Sequence, residues 1–223
     1  MARALLTHES RRQRMVSEQL VRRDIIDPQV LAAFGMIARE QFVPAELGGQ
    51  AYDDAPLPIG SGQTISQPYV VAVTVQALGL RGHERVLEIG TGSGYAAAIL
   101  GTLAREVETV ERIAELAAAA AERLAGLGFS NVHVHHGDGT LGWPPGAPYE
   151  AIAVAAGAPR PPRSLLDQLA VGGRLVLPHG DVDHQRLVRI TKRAADRLDE
   201  EDLGEVRFVP LLGVEGWPER ERR

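Results

Sequence analysis

The stretch that decides the fold is "VLEIGTGSGYAA", residues 86–97. It opens on a short apolar run of strand character, passes through glycines at 90, 92 and 94, and continues into alanine-rich sequence after Tyr95. A strand that ends in glycines and restarts as a helix lets main chain come close to whatever fills the turn, because no Cβ stands in the way. The new helix offers its unpaired N–H groups to the same place. Tight packing of strand on helix is the plainer cause of such a turn, so the surrounding sequence has to decide between them.

Working outward, strand and helix patterns alternate. "RVLEI" (85–89) is read as a strand followed by a helix over 94–104, and "EVETVE" (106–111) as a second, followed by an alanine-rich helix over 113–126. "NVHVHH" (131–136) and "YEAIAVAA" (149–156) are the third and fourth strands. A proline-rich loop, a helix over 163–170 and the strand "GRLVLP" (173–178) come next. This alternation predicts an α/β fold with a doubly wound, mostly parallel sheet. "QRLVRITKR" and "LGEVRFVPLLGV" are read as two closing strands, with "PERERR" a frayed charged tail. Upstream, residues 9–39 read as two helices broken at "DIIDPQ", and a helix starting at Pro68 ends near Gly79. The expectation is one domain over 1–223: a small helical N-terminal cap (1–50), a segment of different character (51–80), the sheet core (81–180) and C-terminal strands with a tail (181–223).

That different character is a lack of charge. From Ala55 through Leu80 there is no acidic or basic side chain. The whole chain, by contrast, has 24% charged residues and a net charge of −5, which argues against a general polyanion binder and for no nucleic-acid partner. Arginines at 3, 11, 12, 14, 22 and 23 face only Glu9 and Glu18 within residues 1–23; we read them as the solvated face of a helix whose apolar side is Met15, Val16 and Leu20. The chain has no cysteine, so disulfides and thiolate metal sites are excluded. No apolar run is long enough to span a bilayer and the first residues do not read as a secretory signal; no membrane partner and a cytoplasmic address are expected.

The spacing at the turn narrows its ligand. Tyr95 occupies the place of the last glycine in the dinucleotide fingerprint G-x-G-x-x-G, and no Lys-Ser/Thr pair follows as a phosphate loop requires. The pattern is G-x-G-x-G preceded by Glu88, with Thr91 and Ser93 between the glycines, as in S-adenosylmethionine (AdoMet) methyltransferases of Rossmann-like fold. Glu111 ends the second strand 21 residues after Gly90, where an acid can accept from both ribose hydroxyls. Asp138, in "HGDG", follows the third strand, where a carboxylate can take an adenine amino group. Elements placed at successive strand ends favour AdoMet as cofactor over mere packing. The sequence after the fourth strand, "AVAAGAPRPP", lacks the Asn/Asp-Pro-Pro-aromatic signature of nucleic-acid amino methylation.

With "AYDDAPLPIGSGQTISQPY", "VLEIGTGSGY", "VERI", "HGDG", "GGRLVLP" and "VRFVPL" in this order, the chain resembles the protein-L-isoaspartate O-methyltransferases over nearly its whole length. The resemblance implies AdoMet-dependent methylation of the α-carboxylate of isoaspartyl residues in damaged proteins and peptides, giving S-adenosyl-L-homocysteine. The ester then collapses to a succinimide that reopens partly to normal aspartate. It implies that Ser66 is the active-site serine, and that Gln63, Thr64, Ile65, Ser66 itself, Glu88, the turn Gly90 to Gly94, Glu111, Asp138 and Gly139 form the cofactor site. Glu150 departs from a common aspartate, "VAAGAP" varies a small-residue stretch, and His179 replaces an apolar residue; the first two are expected near the floor of the site and the last near a peptide groove.

This chemistry explains a site without charge. A carboxylic acid of pKa near 4 is ionised at pH 7, so no base is needed to make the nucleophile. As an anion attacks a methyl group on a positive sulfur, both charges fade, and a neutral, water-poor pocket favours that loss. Alignment remains, with Ser66 donating to one carboxylate oxygen; on spacing alone Ser66 would instead be an N-cap for the helix at Pro68. A carboxyl methyltransferase dedicated to an aspartate in one peptide and a non-catalytic AdoMet-binding module are the alternatives. His133 and His135 share a strand face, and His179, Asp181, Asp183 and His184 form a polar loop, but no metal is expected at either. Tyr52 and Tyr69 are candidates to line a peptide site. A monomer is expected.

Overall fold

The computed structural model describes residues 7–218; Arg3 and the tail beyond Pro218 lie outside the described residues. The N-terminal part folds as α1 (His8–Met15), whose helical path continues as a wider π turn to Leu20 and a 3₁₀ turn to Arg23, then α2 (Pro28–Met36). Asp27 starts α2 by accepting from the N–H groups of Gln29 and Val30, so the break at "DIIDPQ" is an N-cap. Two 3₁₀ turns, Arg39–Phe42 and Ala45–Gln50, complete the cap.

The uncharged segment forms something the sequence pattern did not announce. Strands β1 (Leu57–Gly60) and β2 (Gln63–Ile65) pair antiparallel as a small separate hairpin. Its turn needs left-handed backbone at Gly60, Ser61 and Gly62. Helix α3 (Pro68–Leu78) follows and ends at Gly79, itself left-handed.

The core is a seven-stranded sheet built from β3 (Arg85–Ile89), β4 (Glu106–Glu111), β5 (Val132–His136), β6 (Tyr149–Val154), β7 (Leu169–Gly180), β8 (Gln185–Ala194) and β9 (Arg197–Val206), in the order β5-β4-β3-β6-β7-β8-β9. The first five in this order are parallel, joined through α4 (Tyr95–Leu103), α5 (Ala114–Gly126) and α6 (Arg163–Gln168), while β8 and β9 are antiparallel additions. Successive side chains along each strand go to opposite faces. Val86, Val107, Ala151 and Val176 thus pack with α3, α4 and the cap, whereas Leu87, Ile89, Ile152, Leu175 and Leu177 pack with Leu165 of α6 and with Leu211. The chain winds one way from β3 to β5 and the other way from β6, so a crevice opens between the C-terminal ends of β3 and β6.

Two expectations need correction. The helix read over 163–170 stops at Gln168, because Leu169 already pairs with Tyr149, and β7 starts there. The last strand is not "LGEVRFVPLLGV" (203–214) but Arg197–Val206, and residues after Val206 leave the sheet. That strand is a charged edge, held by Arg186 to Asp202, Arg189 to Glu201 and Arg193 to Asp199 across β8 and β9. Cross-strand ion pairs and exposed charge suit an edge that must not recruit another chain.

Buried Glu84 ties the entry to β3. Its carboxylate accepts from the backbone N–H groups of Arg81, Gly82 and His83 at 2.9–3.2 Å. Burial alone would raise its pKa, but those N–H groups outweigh it and hold the carboxyl below its ordinary 4.5. Glu84→Ala should therefore cost about 2 kcal/mol in urea unfolding at pH 7. Because the folded pKa is depressed, the gap from wild type should be full above pH 4.5 and close as pH falls through the folded value.

Candidate active site

At the crevice, Gly90, Gly92 and Gly94 all have positive φ, 92°, 54° and 89°. A Cβ on Gly90 would stand 3.4 Å from Ala155 Cβ, and one on Gly92 3.2 Å from Ile59 Cδ1. The first contact closes the turn against the end of β6, the second against the β1–β2 hairpin. Arg123 of α5 fixes the turn by donating to the Ser93 carbonyl at 2.8 Å.

The cleft around this turn holds about 1070 Å³ of empty space, its open mouth included. Gln63, Thr64, Ile65 and Ser66 form one wall, Gly90, Thr91, Gly92 and Ser93 the floor, and Glu111, Ile113 and Gly139 the far side. Glu111 is held rigidly, its Oε2 accepting from Gly92 N–H (2.9 Å) and its Oε1 from Ile113 N–H (3.0 Å). Each oxygen keeps a second acceptor position. A carboxylate so oriented, beside a glycine floor and an apolar slot, fits the ribose and the base of AdoMet.

Ser66 is half-buried on the wall facing this space. Gln67, not Ser66, is the cap residue of α3, and no side chain caps that helix. Among the described residues the Ser66 hydroxyl has no hydrogen-bond partner, while its carbonyl accepts from Arg39 Nη2 at 2.9 Å.

Three of the expected cofactor residues stand outside the cleft wall. Glu88 is buried beneath the floor, 1% exposed, where Thr109 Oγ1 donates to its Oε2 at 2.5 Å and lies 2.6 Å from Thr91 Oγ1. Burial lifts its pKa to about 8; the Thr109 bond opposes the rise and the Glu111 charge adds to it. Burial thus favours the neutral acid at Glu88, which holds Thr109, and Thr109 in turn meets Thr91. Gly94 faces α5, where a Cβ would meet Leu124 at 3.2 Å. Asp138 caps the turn Gly139–Leu141, its Oδ1 taking Thr140 N–H and Oγ1–H, and its Oδ2 takes Val214 N–H at 2.8 Å.

Residues not singled out as contacts complete the site. Ala155 and Ala156 line it after β6, and Val209, Pro210, Leu211 and Leu212 line it from the C-terminal segment. That segment lies along 157: Gly157 N–H donates to Val209 O, Leu211 N–H to Gly157 O, and Trp217 Nε1 to Gly157 O. The signal was present in "VRFVPL", which read as strand because its residues are strand formers. Arg39, in the cap, could not be placed near Ser66 without long-range information.

Other candidates go elsewhere. Glu150 is at the opposite end of β6 from the cleft and accepts from Arg85 N–H, so it is not part of the floor. His179 lies 3.6 Å from Glu200 in a separate polar recess. Tyr52 is buried in the cap, donating to Glu40, and Tyr69 lies under the Arg23 guanidinium at 3.4 Å; neither lines the cleft. His135 stacks on Trp143 at 3.7 Å and meets Glu108, and His133 faces Glu106. The basic run is not a free face throughout: Arg11 donates to the Gly49 carbonyl, Arg12 to Tyr52, and Arg23 to Asp54.

The family model for protein-L-isoaspartate(D-aspartate) O-methyltransferase matches residues 10–216. The chain is 59% identical over 209 residues to protein-L-isoaspartate O-methyltransferase 1 of Rhodopseudomonas palustris strain HaA2, covering 93% of this chain and 85% of that protein. It is 57% identical to protein-L-isoaspartate O-methyltransferase 2 of Marinobacter nauticus, over 93% of this chain and 95% of the other. Among solved structures, one protein-L-isoaspartate O-methyltransferase superposes with TM-score 0.82 at 30% identity, over 92% of this chain and 67% of that one. A Plasmodium falciparum protein described with the same activity, in complex with S-adenosyl-L-homocysteine, gives TM-score 0.77 at 26% identity over 90% and 98%.

The buried acid beneath the floor has a measurable signature. A raised folded pKa means stability is full below the unfolded value of 4.5 and is lost as pH rises through about 8. Glu88→Gln should flatten that decline, so its melting temperature should gain on wild type across this interval; parallel profiles would show that Glu88 does not titrate there.

Proposed function

The chain belongs to the protein-L-isoaspartate(D-aspartate) O-methyltransferase family, and from that premise we propose how its cleft carries out the reaction. The enzyme methylates the α-carboxylate of L-isoaspartyl residues in damaged proteins and peptides, with AdoMet as cofactor and S-adenosyl-L-homocysteine as product. Bound AdoMet supplies a methyl group on a positively charged sulfur. The chain's part is to hold, orient and keep water out. Glu111 takes the ribose hydroxyls, the backbone of 90–93 the amino-acid end, and Ile113, Gly139 and Leu211 the base. Asp138 contributes by fixing Gly139 and by tying the C-terminal segment over the cleft through Val214.

The observation that carries this reading is the Ser66 hydroxyl, without a side-chain or backbone partner among the described residues, on the same cleft as Glu111 and the glycine floor. A serine that caps a helix spends its oxygen on backbone N–H; this one is spare. It donates to one oxygen of the incoming carboxylate and leaves the other directed into the cleft. The first turn of α3 lies behind it with its positive end towards the anion. Among the described residues no histidine lines the cleft, in keeping with a nucleophile that arrives already ionised. A spare hydroxyl serves a carboxylate and has no use in a module that only binds cofactor.

Labelled AdoMet offered with matched isoaspartyl and aspartyl peptides should give alkali-labile methanol from the isoaspartyl peptide alone. Transfer to neither peptide would sink this reading in favour of a dedicated substrate or simple binding. Ser66→Ala should keep AdoMet affinity by calorimetry yet lose roughly 10- to 100-fold in kcat, the worth of one hydrogen bond to a charged group. For Asp138→Ala the expected result is weaker AdoMet binding, by about tenfold if one such bond's worth of order is lost; unchanged affinity would remove Asp138 from the cofactor site.

A further inference from the structure

A cation from the cap stands behind the Ser66 peptide. Arg39 is 0% exposed, and its guanidinium makes no ion pair among the described residues. Its Nε donates to the Ala51 carbonyl at 2.7 Å and its Nη2 to the Ser66 carbonyl at 2.9 Å. Its Cζ lies 4.9 Å from the centre of the Tyr95 ring, whose buried face closes the cleft beside the glycine floor. Arg39 Nη1 and the Tyr95 hydroxyl are both buried, and among the described residues neither makes a well-formed hydrogen bond beyond the interaction of these two side chains with each other.

A buried cation held by two carbonyls is costly to keep without a matching gain. The two carbonyls it grips bound residues 51–66, the stretch that contains the β1–β2 hairpin and the cleft wall Gln63 to Ser66. A fork of donors in one plane fixes both carbonyls relative to each other, which a single-point ammonium does not do. We propose that Arg39 is a positioning residue for methyl transfer: by fixing the Ser66 peptide it sets the direction of the Ser66 hydroxyl, and its uncompensated charge behind that peptide favours the carboxylate in the cleft. Burial pulls the Arg39 pKa down, with Tyr95 and Tyr52 opposing, yet an arginine keeps its charge at neutral pH. The proposal rests on the assignment of Ser66 to the substrate carboxylate.

The test is a double-mutant cycle of Arg39→Lys and Ser66→Ala, with turnover of an isoaspartyl peptide expressed per AdoMet-binding site titrated by calorimetry. Arg39→Lys keeps charge but loses the fork. Expected are AdoMet affinity near wild type and a fall in kcat of about tenfold or more in the Ser66 background. In the Ser66→Ala background the same change should cost less than about threefold, because there is no hydroxyl left to direct. Equal losses in both backgrounds, unchanged kcat per site, or a variant without AdoMet sites would each overturn the proposal, the last by showing that Arg39 only holds the fold together. A wild-type protein that fails to methylate the peptide, or an unimpaired Ser66→Ala, would instead count against the assignment of Ser66.

Discussion

Between Ile89 and Tyr95 the backbone must reverse at the point where the sheet changes its winding direction, with Ala155, just past the end of the neighbouring strand, so close that a Cβ on Gly90 would touch it. Only residues without a Cβ meet that demand at Gly90 and Gly92, and the φ values there are ones that L side chains rarely adopt. The consequences spread outward. The turn places Gly92 N–H against Glu111, so the acid at the end of β4 is aimed by the turn it helps to hold. The hairpin β1–β2 can then press Ile59 onto Gly92, which brings Ser66 to the same cleft.

Charges around the cleft are sorted by what they can satisfy. Glu111 receives two backbone N–H groups and faces the cleft. Glu88, one layer down and close enough to feel Glu111, has a single threonine and is pushed towards neutrality by burial. Arg39 sits behind Ser66, gripping two backbone carbonyls and facing the Tyr95 ring. The uncharged run 55–80 thus describes the sequence of the wall and not the electrostatics of the site, since the cap brings a cation to it from another part of the chain. The same is true of the other cap arginines: Arg11, Arg12 and Arg23 reach the lead-in at residues 49–54 instead of presenting a basic face.

Much of this was readable in the residues. Parallel strands buried on both faces must be apolar runs, so β3, β4 and β6 stood out, and the glycine turn with the acid 21 residues on located the cofactor side of the cleft. What escaped did so for physical reasons. The strand Arg197–Val206 is an exposed charged edge, paired to β8 by its backbone and flanked by cross-strand ion pairs, and it carries no apolar alternation. The hairpin Leu57–Gly60 with Gln63–Ile65 is too short and too rich in glycine to show a period. The segment after Val206 has strand-forming side chains but pairs with residue 157 by isolated bridges, so local preference misleads. Arg39 is a contact across 27 residues and leaves no local mark at all.

A reaction whose nucleophile is ionised before it binds leaves an enzyme little to do with proton transfer, and this cleft is built accordingly. Its demanding task is to admit an anion to a largely apolar cleft without trapping it. A carboxylate lining the wall near Ser66 would repel the substrate, and an exposed lysine or arginine there would hold the charge that has to fade as the ester forms. A hydroxyl backed by a cation one peptide removed meets both limits: it orients through a neutral group, while the charge acts at a distance that softens its grip. The lead-in 51–66 has to be stiff for that arrangement to work, because a hydroxyl directs an oxygen only as well as its own backbone is held. In this fold the stiffness comes from outside the sheet, from a helical cap whose buried arginine reaches into the wall of the site.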